Sequence, residues 1–157
     1  MVKVLVVLVL IFSVSFAQIN KTENKKEPVV INADKLEYYN KEKVAVYSGN
    51  VDVKKGNFNL KADTVKIYLD EKGDVSRIYA VGNVYFQQEN KWGKSKEAEY
   101  YKDKNLIILK NNAEVHQGKN VVEGDEIYYY IDEEKAVATS KGSRVRSVLF
   151  PKEKEEK

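Results

Sequence analysis

One phrase recurs along this chain and limits what it can fold into. Ile31-Asn32-Ala33-Asp34-Lys35-Leu36-Glu37-Tyr38 returns as Leu60-Lys61-Ala62-Asp63-Thr64-Val65-Lys66-Ile67 and as Val122-Glu123-Gly124-Asp125-Glu126-Ile127-Tyr128-Tyr129. A degraded copy, Ser95-Lys96-Glu97-Ala98-Glu99-Tyr100, falls between the last two, so the landmark positions Asp34, Asp63, Lys96 and Asp125 are spaced by 29, 33 and 29 residues. Self-similarity at such a period marks a chain assembled from repeated supersecondary units. Each unit has a second landmark: Gly49-Asn50-Val51, Gly82-Asn83-Val84, Asn111-Asn112-Ala113 and Gly142-Ser143-Arg144-Val145. Glycine and asparagine tolerate positive φ best, which predicts bulges at Gly49, Gly82, Asn111 and Gly142.

Between the landmarks the pattern has period two. Phe58, Leu60 and Ala62 alternate with polar neighbours, and so do Val65, Ile67 and Leu69. Alternation rich in Val, Ile, Tyr and Phe is the half-buried strand pattern, and no window of helical period competes with it. Polar turns separate the runs at Asn40, Gly56, Gly73, Asn90, Asp103, Gly118 and Glu133. The fold class is therefore all-β: a sandwich, barrel or roll.

Parity slips inside the phrase. Ile31 and Ala33 share one face, but Leu36 and Tyr38 have the opposite parity, and the same slip separates Leu60 and Ala62 from Val65 and Ile67. Unless a corner or bulge absorbs it, such a slip turns every later side chain to the wrong face. Asp34, Asp63 and Asp125 are thus expected at strand corners, each carboxylate accepting from nearby backbone N–H groups.

Composition narrows the function. Of 157 residues, 27 are basic and 24 acidic, with a formal net charge of +3. The interspersed signs lack the basic stripe of a nucleic-acid binder. There is no cysteine, and hence no disulfide framework. The aspartates are spread one per repeat without a calcium-loop pattern, and catalytic carboxylates would have to face one another. His116 is a single strand histidine, and neither a nucleophile elbow nor a phosphate-cradling loop is present. These features point away from an enzyme and imply no cofactor or metal. Tyrosine pairs such as Tyr100-Tyr101 place aromatics on both faces of a strand, against a stacking platform for sugars or bases.

The ends are of a different kind. Lys3, the apolar run Val4 to Phe16 and the small residues Ser15 and Ala17 form an export signal with a cut expected before Gln18. As a helix that run reaches about 21 Å at ~1.5 Å per residue, short of a ~30 Å hydrocarbon core. No cysteine follows the cut, which argues against a lipid anchor. The expected organisation is an export signal at 1–17, a flexible lead-in at 18–27, one β domain at 28–150 and a charged, disordered tail at 151–157.

The phrases Ile31 to Tyr38, Tyr47-Ser48-Gly49-Asn50-Val51-Asp52-Val53 and Val121 to Tyr129 resemble the OstA-like repeats of the LptA family of periplasmic lipopolysaccharide-transport proteins. The resemblance runs from about Pro28 to Phe150 and departs from the pattern at Lys96 and Asn111. It implies an elongated, slightly twisted, open antiparallel β-jelly roll without catalytic residues or cofactor. An apolar groove in that roll holds lipid A acyl chains. It also implies head-to-tail self-association through terminal strands, here Val29 to Ala33 and Arg144 to Leu149. The partners are then an LptC-like inner-membrane protein and an LptD-like outer-membrane barrel. Carry-over assigns Phe86, Tyr100 and Val29 to the groove, and parity adds Val65, Ile67, Ile108 and Ile127. The alternatives are an LptC-like docking subunit that keeps residues 1–17 as a tether, and a sugar-binding jelly roll.

Overall fold

Strand alternation must stop where parity slips, and each long strand of this protein breaks its register at that place. The computed structural model describes residues 28–151, so the expected export signal, the lead-in and all of the tail except Pro151 lie outside the described residues. Within them are ten strands: β1 (Val30–Asn32), β2 (Lys35–Tyr39), β3 (Val44–Lys55), β4 (Phe58–Leu69), β5 (Val75–Gln88), β6 (Lys91–Tyr101), β7 (Leu106–Gln117), β8 (Asn120–Tyr130), β9 (Lys135–Thr139) and β10 (Arg146–Val148). The all-β antiparallel expectation holds.

All ten belong to one sheet. Strands β3 to β8 pair in sequence order, each with the next, while β1 and β2 both lie along β3, and β9 and β10 both lie along β8. Register shifts cut the ladders between Ser48 and Val51, Lys61 and Thr64, Val81 and Val84, Lys94 and Glu97, and Lys110 and Ala113. The shifts line up across the sheet and divide it into two leaves joined by bent strands. One leaf runs from β2 to β9 and the other from β1 to β10, because β2 pairs with the first half of β3 and β1 with the second.

The core lies between the leaves. Val51, Ala62, Val65, Ala80 and Val84 form one buried cluster. Phe86, Ile107, Leu109, Ala113, Val115, Ile127 and Tyr129 form the other. Both draw members from both leaves, and Leu60 and Ala98 pack against each of them, so the apolar interior is continuous. At roughly 25 cal/mol per Å² of apolar surface removed from water, this inner face is the main force folding one leaf over the other.

The outer face of the first leaf carries an ordered charge and aromatic array. Tyr68, Arg77 and Tyr101 are cross-strand neighbours, as are Tyr79, Glu99, Ile108 and Tyr128. The Arg77 guanidinium lies 5.4, 5.8 and 5.0 Å from the ring centres of Tyr68, Tyr79 and Tyr101. Glu99 is 7% exposed, accepts from the Tyr101 hydroxyl and pairs with Arg77 at 3.4 Å and Lys110 at 3.3 Å. Tyr68, Tyr79, Tyr101 and Tyr128 thus face outward while Tyr47, Tyr100 and Tyr129 pack in the core, so both faces carry aromatics, as read from the sequence. A tyrosine beside an inward residue on its own strand necessarily joins the outer rows.

Glu99 yields a pH prediction. Burial pushes its carboxyl up, but the bonds from Tyr101 and Lys110 and the charges of Lys110 and Arg77 hold it below the ordinary value. A depressed folded-state pKa adds stability that is full above the unfolded value, about 4.3, and is lost as pH falls through the folded value. Glu99→Gln should cost about 1–3 kcal/mol at neutral pH. In urea unfolding its gap to the parent should close as pH falls below the usual carboxylate range; a gap constant down to acid pH would refute the ionic role.

Candidate functional site: the creased apolar interior

At the crease the two repeated landmarks are the two sides of one structure, on neighbouring strands. Gly49 and Asn50 have φ of 80° and 47°, Gly82 and Asn83 have 82° and 47°, and Asn111 and Asn112 have 64° and 57°. Two successive left-handed residues turn the strand sharply, a conformation only Gly and Asn adopt at low cost. The Asp34 N–H donates to the Gly49 carbonyl at 2.8 Å, and the Asn50 amide donates to Asp34 Oδ2 at 3.0 Å. One repeat on, the Asn83 amide donates to Asp63 Oδ2 at 3.0 Å. A Cβ on Gly49 or Gly82 would come within 2.8 Å of the Cβ of Asp34 or Asp63, so glycine also makes room for the carboxylate.

These contacts refine the corner expectation. For Asp34 and Asp63 the carboxylate is bound by the asparagine side chain of the adjacent strand, where backbone N–H groups were expected. At the last corner the partner is backbone: Lys141 N–H donates to Asp125 Oδ2 at 2.6 Å, and Asp125 N–H donates to Ser140 Oγ at 3.1 Å. Gly142 is therefore displaced from the role assigned to it. Ser140-Lys141 stands in the crease, and Gly142 lies beyond β9 at φ 77° with open space where a Cβ would be. Sequence reasoning missed Asn50 and Asn83. No single spacing points to them, because Asn50 follows Asp34 by 16 residues and Asn83 follows Asp63 by 20.

Lys96 takes the aspartate position of the third crease and is exposed beside Asn111 and Asn112. It supplies no carboxylate, and the bend rests on the paired left-handed asparagines, Asn111 and Asn112.

Inside the crease, Phe86, Val65 and Ile127 are each 1% exposed. Tyr100 packs against the Phe86–Ile127 cluster and Ile67 against the Val65 cluster. The Phe86 ring lies over Gly93 on β6, where an added Cβ would clash with the ring and come 2.7 Å from the Glu114 carbonyl. Burial raises the Tyr100 hydroxyl pKa and pushes that of Tyr129 up to about 12. The Tyr129 hydroxyl is buried without a hydrogen-bond partner among the described residues.

Two candidates fall elsewhere. Ile108 is not in the interior: Ile107 and Leu109 face inward, and Ile108 sits between Glu99 and Tyr128 on the outer rows. An unbroken apolar run, Leu106 to Leu109, hides parity from the sequence, and only the register assigns the faces. Val29 lies just outside β1 and is 55% exposed. It belongs to a set of exposed apolar residues at the two ends of the sheet, with Val30, Leu36, Tyr38 and Tyr39 at one end and Val145, Leu149 and Phe150 at the other. Leu36 is opposite Tyr47, a residue of the inner face, so the apolar interior emerges at the β2 edge. His116 lies on the outer face of the second leaf, stacked on Trp92 at 3.7 Å between ring centres and bonded to Glu114.

The arrangement is that of known transport proteins. The family described as LptA/(LptD N-terminal domain) LPS transport protein matches residues 30–135. The lipopolysaccharide export system protein LptH of Pseudomonas aeruginosa is 30% identical over 146 residues, 83% of each chain. The lipopolysaccharide export system protein LptA of Escherichia coli K12 is 28% identical over 144 residues, 87% of this chain and 78% of that one. The crystal structure of LptH, described as the LptA-homologous periplasmic component of the conserved lipopolysaccharide transport device, superposes with a TM-score of 0.68 at 28% identity, covering 80% of this chain and 96% of that one. Folded from one creased sheet with an apolar interior, this chain belongs to the LptA/LptD N-terminal domain family of lipopolysaccharide transport proteins.

Proposed function

We propose that this chain is a periplasmic lipopolysaccharide-export protein that carries lipid A acyl chains against its inner face, with Phe86, Tyr100, Val65, Ile67 and Ile127 in contact with them. The observation that carries this reading is an apolar interior continuous between the two clusters and emerging at the β2 edge, where Leu36 and Tyr38 stay exposed. Acyl chains need only apolar lining, since each buried methylene contributes about 0.8 kcal/mol. The periplasmic assignment is supported by the description of LptH as a periplasmic component and by the export-signal pattern expected from the sequence at residues 1–17. Both relatives are named as lipopolysaccharide export system proteins, in keeping with a carrier role.

The sheet ends support end-to-end assembly. Among the described residues, β1 pairs only with β3 and β10 only with β8, and each leaves an edge unpaired by any of them next to exposed apolar side chains. Such an edge is a template for another chain's strand. In this reading one end meets a second copy or an LptC-like inner-membrane protein, and the other an LptD-like barrel.

Photo-crosslinking in cells tests both claims. A benzophenone residue at Phe86 or Tyr100 should give lipopolysaccharide adducts, one at the outer-face Tyr79 should not, and one at Leu149 should give protein–protein adducts. Lipopolysaccharide adducts as strong from Tyr79 as from Phe86 would rule out the inner face as the carrier surface.

A further inference from the structure

The inner face is not apolar along its whole length. In the second leaf it runs outward from the crease through the cross-strand row Phe86, Gly93 and Val115 and ends in the row Gln88, Lys91 and Gln117, next to the β5–β6 turn. Because alternate residues of a strand share a face, Lys91 points the same way as Gly93, against which the Phe86 ring lies. Lys91 is 7% exposed and Gln88 6%. The Gln88 amide donates to Asn57 Oδ1 at 3.0 Å, which fixes one side of the row. The Lys91 ammonium has no hydrogen bond or ion pair with any of the described residues, although the carboxylate of Glu89 acts on it from the turn. Burial lowers its pKa, against the smaller opposing effect of Glu89.

A lysine this covered, with no anion paired to it among the described residues, is uncommon, because lysines are found fully buried almost only when paired. This one stands where an apolar surface suited to acyl chains gives way to polar side chains. That order, apolar and then cationic, matches the build of an anionic amphiphile. Building on the carrier function proposed above, we propose that Lys91 is the subsite for a phosphate monoester on the head group of the bound lipid. The lipid then lies with its head at the β5–β6 turn and its chains directed past Phe86 toward the crease. Lysine suits this role as a point charge that accepts phosphate without demanding bidentate geometry.

The test uses the exported protein and three probes: phosphorylated lipid A, the same lipid A after enzymatic removal of its phosphates, and inorganic phosphate. The parent should bind the phosphorylated lipid about tenfold more tightly than the stripped one, as one charged hydrogen-bonded contact would give. Lys91→Met keeps the stem and removes the charge; it should abolish that preference and leave the affinity for stripped lipid unchanged. Lys91→Arg should retain the preference. Inorganic phosphate at millimolar concentration should not displace the phosphorylated lipid. The proposal is overturned if Lys91→Met keeps the tenfold preference, if it binds neither lipid, or if inorganic phosphate competes. If the parent itself binds neither lipid, the carrier reading fails first, and that result is distinguishable from a loss confined to the phosphate preference.

Discussion

Phe86→Ala is expected to lower unfolding stability by about 3–5 kcal/mol, the usual cost of removing a buried aromatic ring. Phe86 is 1% exposed within the larger core cluster, and its ring covers the gap left by the missing side chain of Gly93. The partner substitution Gly93→Ala should also destabilise, by about 1–3 kcal/mol, because its Cβ meets the ring and, less yieldingly, the Glu114 carbonyl. The double variant is the discriminating measurement. Removing the ring relieves one of the two clashes, so urea unfolding of Phe86→Ala/Gly93→Ala should show a loss smaller than the sum of the single losses, with a coupling of about 0.5–3 kcal/mol. Additive losses would mean that the ring and the glycine are not packed as described. Phe86 would then lose its place as the residue joining core stability to the carrier surface.

Gly82→Ala should be the most damaging change at the crease. Two costs combine there: a φ of 82° that a Cβ disfavours by about 1–2 kcal/mol, and an approach of 2.8 Å to the Cβ of Asp63. Overpacking of the second kind adds roughly 1–3 kcal/mol. The costs separate by mutation. Asp63→Gly in the Gly82→Ala background removes the crowding atoms and should recover the steric part, leaving the backbone part. Gly82→Asn should lose less than Gly82→Ala in backbone cost, since asparagine already holds the equivalent left-handed place at Asn111. A thermal melt in which Asp63→Gly gives no rescue would show that the carboxylate side chain and the glycine do not compete for space.

Much of this architecture can be read from the chain because its cause is local. Period-two alternation dictates strands wherever one face is buried. The parity slips at Asp34, Asp63 and Asp125 demand a break in each strand whatever surrounds it. The register shifts beside Gly49-Asn50 and Gly82-Asn83 are that demand met. The glycine and asparagine landmarks were legible for the same reason, since a positive φ is a property of a single residue. Where the last repeat lacks the motif, spacing misled: Gly142 attracts attention as a glycine, but Ser140 and Lys141 hold the position next to Asp125.

The rest depended on pairings between residues far apart in sequence. No local pattern says that the Asp34 carboxylate is met by Asn50 across a strand pair, or that Glu99 gathers Tyr101, Arg77 and Lys110 on one outer face. Ile108 shows the limit most clearly, because four apolar residues in a row have no parity until cross-strand neighbours assign it. The sequence by itself determined the strands, their breaks and the repeat that creases the sheet, because backbone stereochemistry and alternation act over a few residues. Only the tertiary structure decided which apolar residues face inward, which carboxylates are paired, and that Lys91 ends the apolar interior. Those are consequences of register and of one leaf folding over the other, and a register is a relation between strands that neither strand carries alone.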